Sequence, residues 1–396
     1  MKKLSMMVVT GLTALTVNTL HASELSYLYK DQRILAMGGA NIASGGYSTS
    51  LFSNPAGIGK LSNEHGAIFE MIGIQAGVSS ESEALVTDLS DAIDTEETSE
   101  ILDVFSDYSG QTTHVDVSNY TSLSNNHGQL AWSVGVLAAL DANFTPHANS
   151  YNLLEVQSRA YGGLTTAMAY TFDPTDLGAL GDLGDLTVGL GAKYIYQISY
   201  EGAITPSELV DYDNIADNLQ DKMESDGNGI AADLGVIYQF DVATNPSLGL
   251  SVLNIGDLDF DDSYGSQPMT VNVGASIQPD IPYIKKTIVA LDYVDVLNAN
   301  QTRLYDLGNG ETVTYTDIDD TDVVKRIRFG VSTLLYENSW STFELAGGVY
   351  QGAYTAGMTF TALIFKVGFT TYQEQLGLAY GDQEDRRYNL NVSIGW

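Results

Sequence analysis

After residue 22 the chain holds four imidazoles that could act as general bases or metal ligands near neutral pH: His65, His114, His127 and His147. No His-x-x-x-His pair occurs, nor a Gly-x-Ser-x-Gly elbow, a glycine-rich phosphate loop or a dinucleotide fingerprint. A hydrolase would need a Ser–His dyad assembled by the fold alone, and the four residues read better as ordinary loop and strand-end histidines. Cysteine is absent, which removes disulfides, thiolate metal sites and a lipoprotein anchor. The chain reads as a non-enzyme without a cofactor.

Carboxylates are the other chemistry on offer. There are 50 Asp and Glu against 17 Lys and Arg, a formal net charge of -33, which excludes nucleic acid as a partner because phosphate neutralisation needs a basic surface. The acids gather in three stretches. The first runs from Glu81 to Asp103, with Leu85, Leu89, Ile93, Ile101 and Leu102 spaced as in an amphipathic helix; the second runs over 207–222; the third is Asp317-Ile-Asp-Asp-Thr-Asp322. Hard oxygen ligands at this density could hold a divalent cation or a polycation. No complete Asp-x-Asp-x-Asp-Gly loop closing on a Glu is present, so a solvated, negatively charged surface is the better reading, and no metal is assigned.

A third set of charges lies inside strand-like segments. Lys325, Ile327, Phe329 and Val331 alternate with Arg326, Arg328 and Ser332. The two arginines are expected on one face, where an acid such as Asp233 could meet them. Asp292, among Ile288 and Ala290, raises the same question.

The elements that would position these groups are strands. Tyr388, Leu390, Val392, Ile394 and Trp396 alternate with Asn389, Asn391, Ser393 and Gly395, and the chain stops on the aromatic residue. About fourteen such segments can be counted, an even number as single-chain barrels require. They lie near 65–78, 112–123, 128–140, 153–172, 186–201, 228–240, 246–254, 268–278, 284–296, 323–335, 340–350, 352–360, 363–374 and 386–396. Connections at one rim are long and at the other short, the asymmetry of an outer-membrane barrel. Mean hydropathy is -0.03, as expected when a polar lumen cancels a lipid face, and a barrel satisfies its backbone in lipid without any apolar helix. The fold class expected is therefore all-β: a transmembrane antiparallel barrel of about fourteen strands over 62–396, with long acidic, partly helical outer loops.

Lys2 and Lys3 followed by the apolar run Leu4–Val17 read as a secretory signal peptide over 1–22, cut before Ser23. Export then ends in the outer membrane of a Gram-negative cell, with the lipid of that membrane as the first partner.

Between leader and barrel lies Gln32-Arg-Ile-Leu-Ala-Met-Gly-Gly-Ala-Asn-Ile-Ala43, followed by Leu51-Phe-Ser-Asn-Pro-Ala-Gly57. These residues resemble the N-terminal signature of the long-chain fatty acid transporter (FadL) superfamily. Within it the chain is most similar to the conjugal transfer protein TraF-like branch, through the acidic insertion 79–110 and the strand Ser247–Gly256; the type IX secretion PorV-like branch is the second choice. The resemblance implies that residues 23–61 form a hatch in the lumen, with Arg33, Gly38, Gly39, Asn54, Pro55 and Ala56 inside the barrel and Arg33 facing lumen carboxylates. It implies a small hydrophobic molecule as ligand, passed by the hatch, or else an envelope accessory that binds other envelope proteins through its outer loops. Transport would call for an apolar pocket and a lateral opening at a kinked strand, which Arg159–Gly163 or Ala346–Val349 could supply. The C-terminal alternation ending on Trp396 resembles the signal recognised by the barrel-assembly machinery.

Overall fold

Period-two alternation is realised as side chains pointing alternately outward and into a closed wall. The computed structural model describes residues 21–22, 24–62, 66–95, 97–148, 152–205, 208, 225–261, 264–307 and 313–395. Of the leader expected over 1–22 only His21–Ala22 are described; residues 1–20, Ser23, His65, Trp396 and most of the acidic stretch 207–222 lie outside the described residues. Strands are β1 (His21–Ala22), β2 (Ala67–Ser79), β3 (Thr113–Asn126), β4 (Leu130–Pro146), β5 (Leu154–Thr171), β6 (Gly184–Ile204), β7 (Ser225–Phe240), β8 (Ser247–Ile255) and β9 (Thr270–Ile277). They continue as β10 (Lys286–Tyr293), β11 (Gln301–Asp306), β12 (Thr314–Asp319), β13 (Ile327–Glu337), β14 (Ser341–Tyr350), β15 (Ala353–Ala362), β16 (Phe365–Gln375) and β17 (Glu384–Gly395).

Fourteen of these, β2–β10 and β13–β17, form one closed antiparallel barrel in which each strand pairs with its neighbours in sequence. Closure is made by β17 on β2, with Tyr388 opposite Val78, Leu390 opposite Ala76 and Val392 opposite Ile74. The burial pattern is inside-out relative to a soluble protein. On β17, Leu390 is 51% exposed while Asn389 is 1% exposed, and Ile230, Leu190 and Leu164 are likewise bare on their own strands. An apolar exterior around a polar interior, with every wall strand hydrogen-bonded on both sides, is the architecture of a barrel standing in lipid. Among the described residues no helix is long and apolar enough to cross a membrane.

The two rims differ as the sequence suggested. One carries connections 80–112 and 294–326; the other carries turns as short as 127–129, 338–340 and 363–364. The first long connection holds α2 (Ser82–Asp94) and α3 (Thr98–Asp107), whose Ala92, Ile101 and Phe105 pack together with Leu154 of β5. Leu102 of the expected apolar stripe is exposed instead. The 294–326 connection contains the β11–β12 hairpin, which β1 from the N-terminal side extends to a three-stranded sheet in the order β1-β11-β12, an element the alternation did not predict. Three further corrections concern the start of β13. Val324–Arg326 is a 3-10 turn rather than strand, Arg326 belongs to that turn, and Lys325, expected on the lipid face, is buried inward.

Residues 24–61 run through the lumen from the long-loop rim to the short-turn rim. They carry a short helix, α1 (Gln32–Ala36), and two 3-10 turns, Ser48–Phe52 and Pro55–Lys60. This plug segment lies on glycines of the wall. A Cβ at Gly235 would overlap Asn54 Oδ1, one at Gly249 the Ile42 carbonyl, and one at Gly330 the Met37 backbone. Gly189 and Gly348 lie equally close to Ala56 and Gly38. Gly38 itself has φ +65°, with the Phe329 and Val349 carbonyls where a Cβ would stand, so its lack of a side chain is required twice over. Gly347, one residue from this contact, has no atom closer than 3.5 Å to such a Cβ. Replacing Gly235 by Val should therefore cost about 1–3 kcal/mol through overpacking, while Gly347→Ala should be neutral. The temperature at which the folded barrel loses its fast gel mobility measures both, and equal behaviour of the two variants would refute the contact.

Candidate functional site in the lumen

Each residue of the N-terminal signature has a definite place. Asp31 caps α1, its Oδ1 accepting the Arg33 amide at 2.8 Å, and its Oδ2 pairs with the Arg33 guanidinium at 2.8 Å. Arg33 also reaches Glu70 of β2 at 3.8 Å and lies over the Tyr47 ring at 4.4 Å. The Gly38 amide donates to Thr355 Oγ1 at 3.1 Å, and Gly39 follows at φ +79°. Asn54 Oδ1 accepts the Ala56 amide at 3.0 Å, and its Nδ2 donates to the Ile42 carbonyl at 2.8 Å, facing Val236 O and Leu250 O of the wall at 3.3 and 3.4 Å. Pro55 and Ala56 begin the following turn and are buried.

Charges in the wall are partnered differently from the expectation. Asp233 meets Lys193 at 3.0 Å and accepts the Asn254 amide, so it does not serve Arg326 or Arg328. Arg326 pairs with Asp295 at 3.5 Å, and Arg328 stacks on the Tyr350 ring at 4.0 Å. The reason is topological: β7 and β13 lie on separate parts of the wall, with β8, β9 and β10 between them. Asp292 uses Oδ2 to accept the amides of Asn41 and Ile42, holding the plug backbone against β10. The stretch Asp317-to-Asp322 is partly solvated, with Asp317 and Asp319 exposed and Asp320 buried. Asp317 pairs with Arg303 at 3.0 Å, Asp320 is buried against Lys325, and Asp322 caps the 3-10 turn by accepting the Val324 amide. Among the described residues no group of three or more His, Cys, Asp or Glu is placed to hold a metal. His114 is enclosed between Asn143, 2.8 Å away, and Asp116, 3.3 Å away, so its ring faces an amide and a carboxylate.

A denser network, not foreseen from sequence, fastens the start of the plug. Arg387 of β17 binds Glu24 at 2.5 Å and Asp385 at 2.6 Å; Lys30 binds Glu374 at 2.8 Å; Arg159 of β5 binds Asp141 at 2.8 Å and donates to the Tyr27 carbonyl at 2.7 Å. Burial alone would raise the Glu24 carboxyl, but Arg387 and then Lys30 override it and hold the group well below the usual carboxylate range. Arg33 does the same for Asp31 against its burial. The only signal in sequence was the presence of Arg386-Arg387 inside an alternating strand, where a lumen-facing charge needs a partner.

The cavities between plug and wall have mixed polar and apolar linings. Voids of about 10 and 20 Å3 lie beside Lys30 and Arg33. A cavity of about 140 Å3 adjoins Arg328, and one of about 640 Å3 at the long-loop mouth is lined by Glu24, Asp257, Asp259 and Asp261. The expected kink is absent: Gly162 and Gly163 of β5, and Gly347 and Gly348 of β14, pair with both neighbouring strands without interruption. The pairing slips instead at Met71–Gly73 of β2, and at three lesser points on β17–β2, β7–β8 and β13–β14.

No family model and no curated protein matches the chain. Solved structures do. The Ralstonia pickettii toluene transporter TbuX superposes with a TM-score of 0.54 at 13% identity, covering 93% of this chain and 98% of that one. The Pseudomonas putida toluene transporter TodX gives 0.51 at 11% identity, covering 94% and 99%. A Pseudomonas aeruginosa FadL homologue gives 0.49 at 8% identity, covering 94% and 99%. At these identities the likeness is one of fold: a closed antiparallel barrel that superposes on TbuX and TodX along nearly its whole length.

Proposed function

We propose that the protein is an outer-membrane barrel of the hydrophobic-compound transporter type, with residues 24–61 as its hatch. The observation that carries the reading is the end-to-end match to two toluene transporters, spanning more than nine-tenths of every chain involved. The apolar exterior supports the membrane location, and the leader expected over 1–22 would bring it there. In this form the barrel is closed. Passage requires the hatch to shift or the wall to part, and the slipped pairing at Met71–Gly73, bordering the small void at Arg33, is the weakest seam beside the hatch.

A second reading is favoured by the same lumen. Its cavities are lined by charged side chains and its outer loops are folded into helices and a sheet, features suited to an envelope structural or interaction protein that transports nothing. The TraF-like and type IX secretion branches belong to this reading, with envelope proteins as partners of the acidic outer loops.

Uptake of labelled toluene and of a labelled long-chain fatty acid, in cells with and without the gene, separates the two. Transport predicts a severalfold rise with the gene and a further change when residues 24–61 are deleted; equal uptake in all three strains sinks it. The hatch reading also has a pH signature. Because Glu24 is held below its ordinary value near 4, its pair with Arg387 stabilises the docked segment above that pH and is lost as pH falls through the depressed value. Proteolysis of the N-terminal segment should accelerate below roughly pH 4. The Glu24→Gln variant should be cut faster at neutral pH, with a shallower acid dependence. A variant indistinguishable from the parent at every pH would remove the latch.

A further inference from the structure

The cavity of about 140 Å3 lies in the long-loop half of the lumen, between Leu25–Tyr27 of the plug and the chain entering β13. Lys325, Arg326 and Arg328 line it, each more than nine-tenths buried. Lys325 is matched by Asp320 and Arg326 by Asp295. Arg328 has no carboxylate oxygen within 4.0 Å among the described residues. Its Nη1 donates to the Lys325 and Ile327 carbonyls at 2.6 and 3.2 Å, and its plane rests on Tyr350. The cross-strand neighbour, Asp292, spends Oδ2 on the plug amides and leaves Oδ1 buried without a hydrogen-bond partner, near enough to act on Arg328 by charge but not in contact with it. The nearby acids are also engaged: Asp295 accepts the Ala299 and Asn300 amides, and Asp320 the Asp322 amide and the Thr302 hydroxyl. On the same wall Arg326 Nε is buried with no hydrogen-bond partner.

A guanidinium does not lose its proton, so a buried one with no carboxylate in contact gains from an anion placed beside it. The rest of the lining selects which anion. Leu25, Tyr27, Val294 and Tyr350 give the cavity apolar walls, and its volume is close to that of protein cavities of about 150 Å3 that hold one benzene ring. An inorganic oxyanion would leave these walls uncovered, and a long acyl chain exceeds the volume. Planar carboxylates also match the guanidinium fork in geometry.

We propose that the cavity beside Arg328 is a binding site for a small carboxylate carrying a flat apolar body of one ring, of which benzoate is the simplest probe. Arg328 supplies the charge-assisted hydrogen bonds, Arg326 Nε completes the donor set, and the Tyr27, Tyr350 and Val294 surfaces enclose the ring. The site does not rest on the transport reading, because binding is measured on the purified barrel.

The test is calorimetric titration of the full-length barrel in detergent with benzoate at pH 7.5, in low salt, with toluene, acetate and inorganic phosphate as competitors. Each variant is first checked for the heat-modifiable gel shift of the folded barrel. Saturable one-site binding is expected, weakened about tenfold or more by Arg328→Gln. It should also be lost in Val294→Trp, which fills the apolar end while leaving the arginine, and be unaffected by Asp259→Asn at the separate outer cavity. Absence of saturable binding overturns the proposal, as does an Arg328→Gln barrel that binds within twofold of the parent. Displacement by toluene as effective as by unlabelled benzoate would assign the space to a neutral hydrocarbon, and equal displacement by phosphate would remove the ring from the recognition.

Discussion

The structure depends on one close approach: the backbone of an irregular N-terminal segment lying against wall positions that have no side chain. Gly235, Gly249 and Gly330 stand on different strands, and each leaves room for a particular plug residue: Asn54, Ile42 and Met37. The plug has only five residues of α-helix and a few 3-10 turns, too little regular structure to satisfy its own backbone groups. Part of that need is met by the wall, as when Asp292 takes two plug amides and Thr355 takes the amide of Gly38. Shape and hydrogen bonding thus fix the same register.

Electrostatics follows from that geometry. A chain with 50 acids and 17 bases would be expected to display its few cations, yet Lys30, Arg159, Lys193, Lys325 and Arg387 are all buried in the lumen, each paired with a carboxylate. Removing one member of such a pair leaves a buried charge uncompensated, which is the costly direction of change. The interior is therefore held by interactions that tolerate little substitution, while the exterior needs only apolar surface of any kind.

This division explains what could be seen in the sequence. All fourteen wall strands were legible because a membrane wall imposes period two on every strand, as Leu390 and Asn389 illustrate. The unequal rims were legible because lengths survive without contacts. The lumen was not. That Asp233 would choose Lys193 over Arg326 depends on where β6, β7 and β13 stand around the circle, information that no local pattern carries. The β11–β12 hairpin escaped for a related reason: its six-residue strands are anchored by Arg303 to Glu201 of β6, a partner 102 positions away. The glycines of the signature did announce a close approach, but not the wall glycines they would face.

Arg387 has a consequence that concerns time rather than stability. It stands nine residues from the C-terminus, in the strand that also closes the wall on β2, while its partner Glu24 lies at the start of the plug. The plug carboxylate therefore finds its cation only once β17, the strand that seals the wall, is in place. A polypeptide truncated before β17 loses both its seam and the counter-ion of Glu24, so an incomplete copy can neither seal nor seat its own interior. In that sense the ion pair acts as a receipt that the closing strand has arrived.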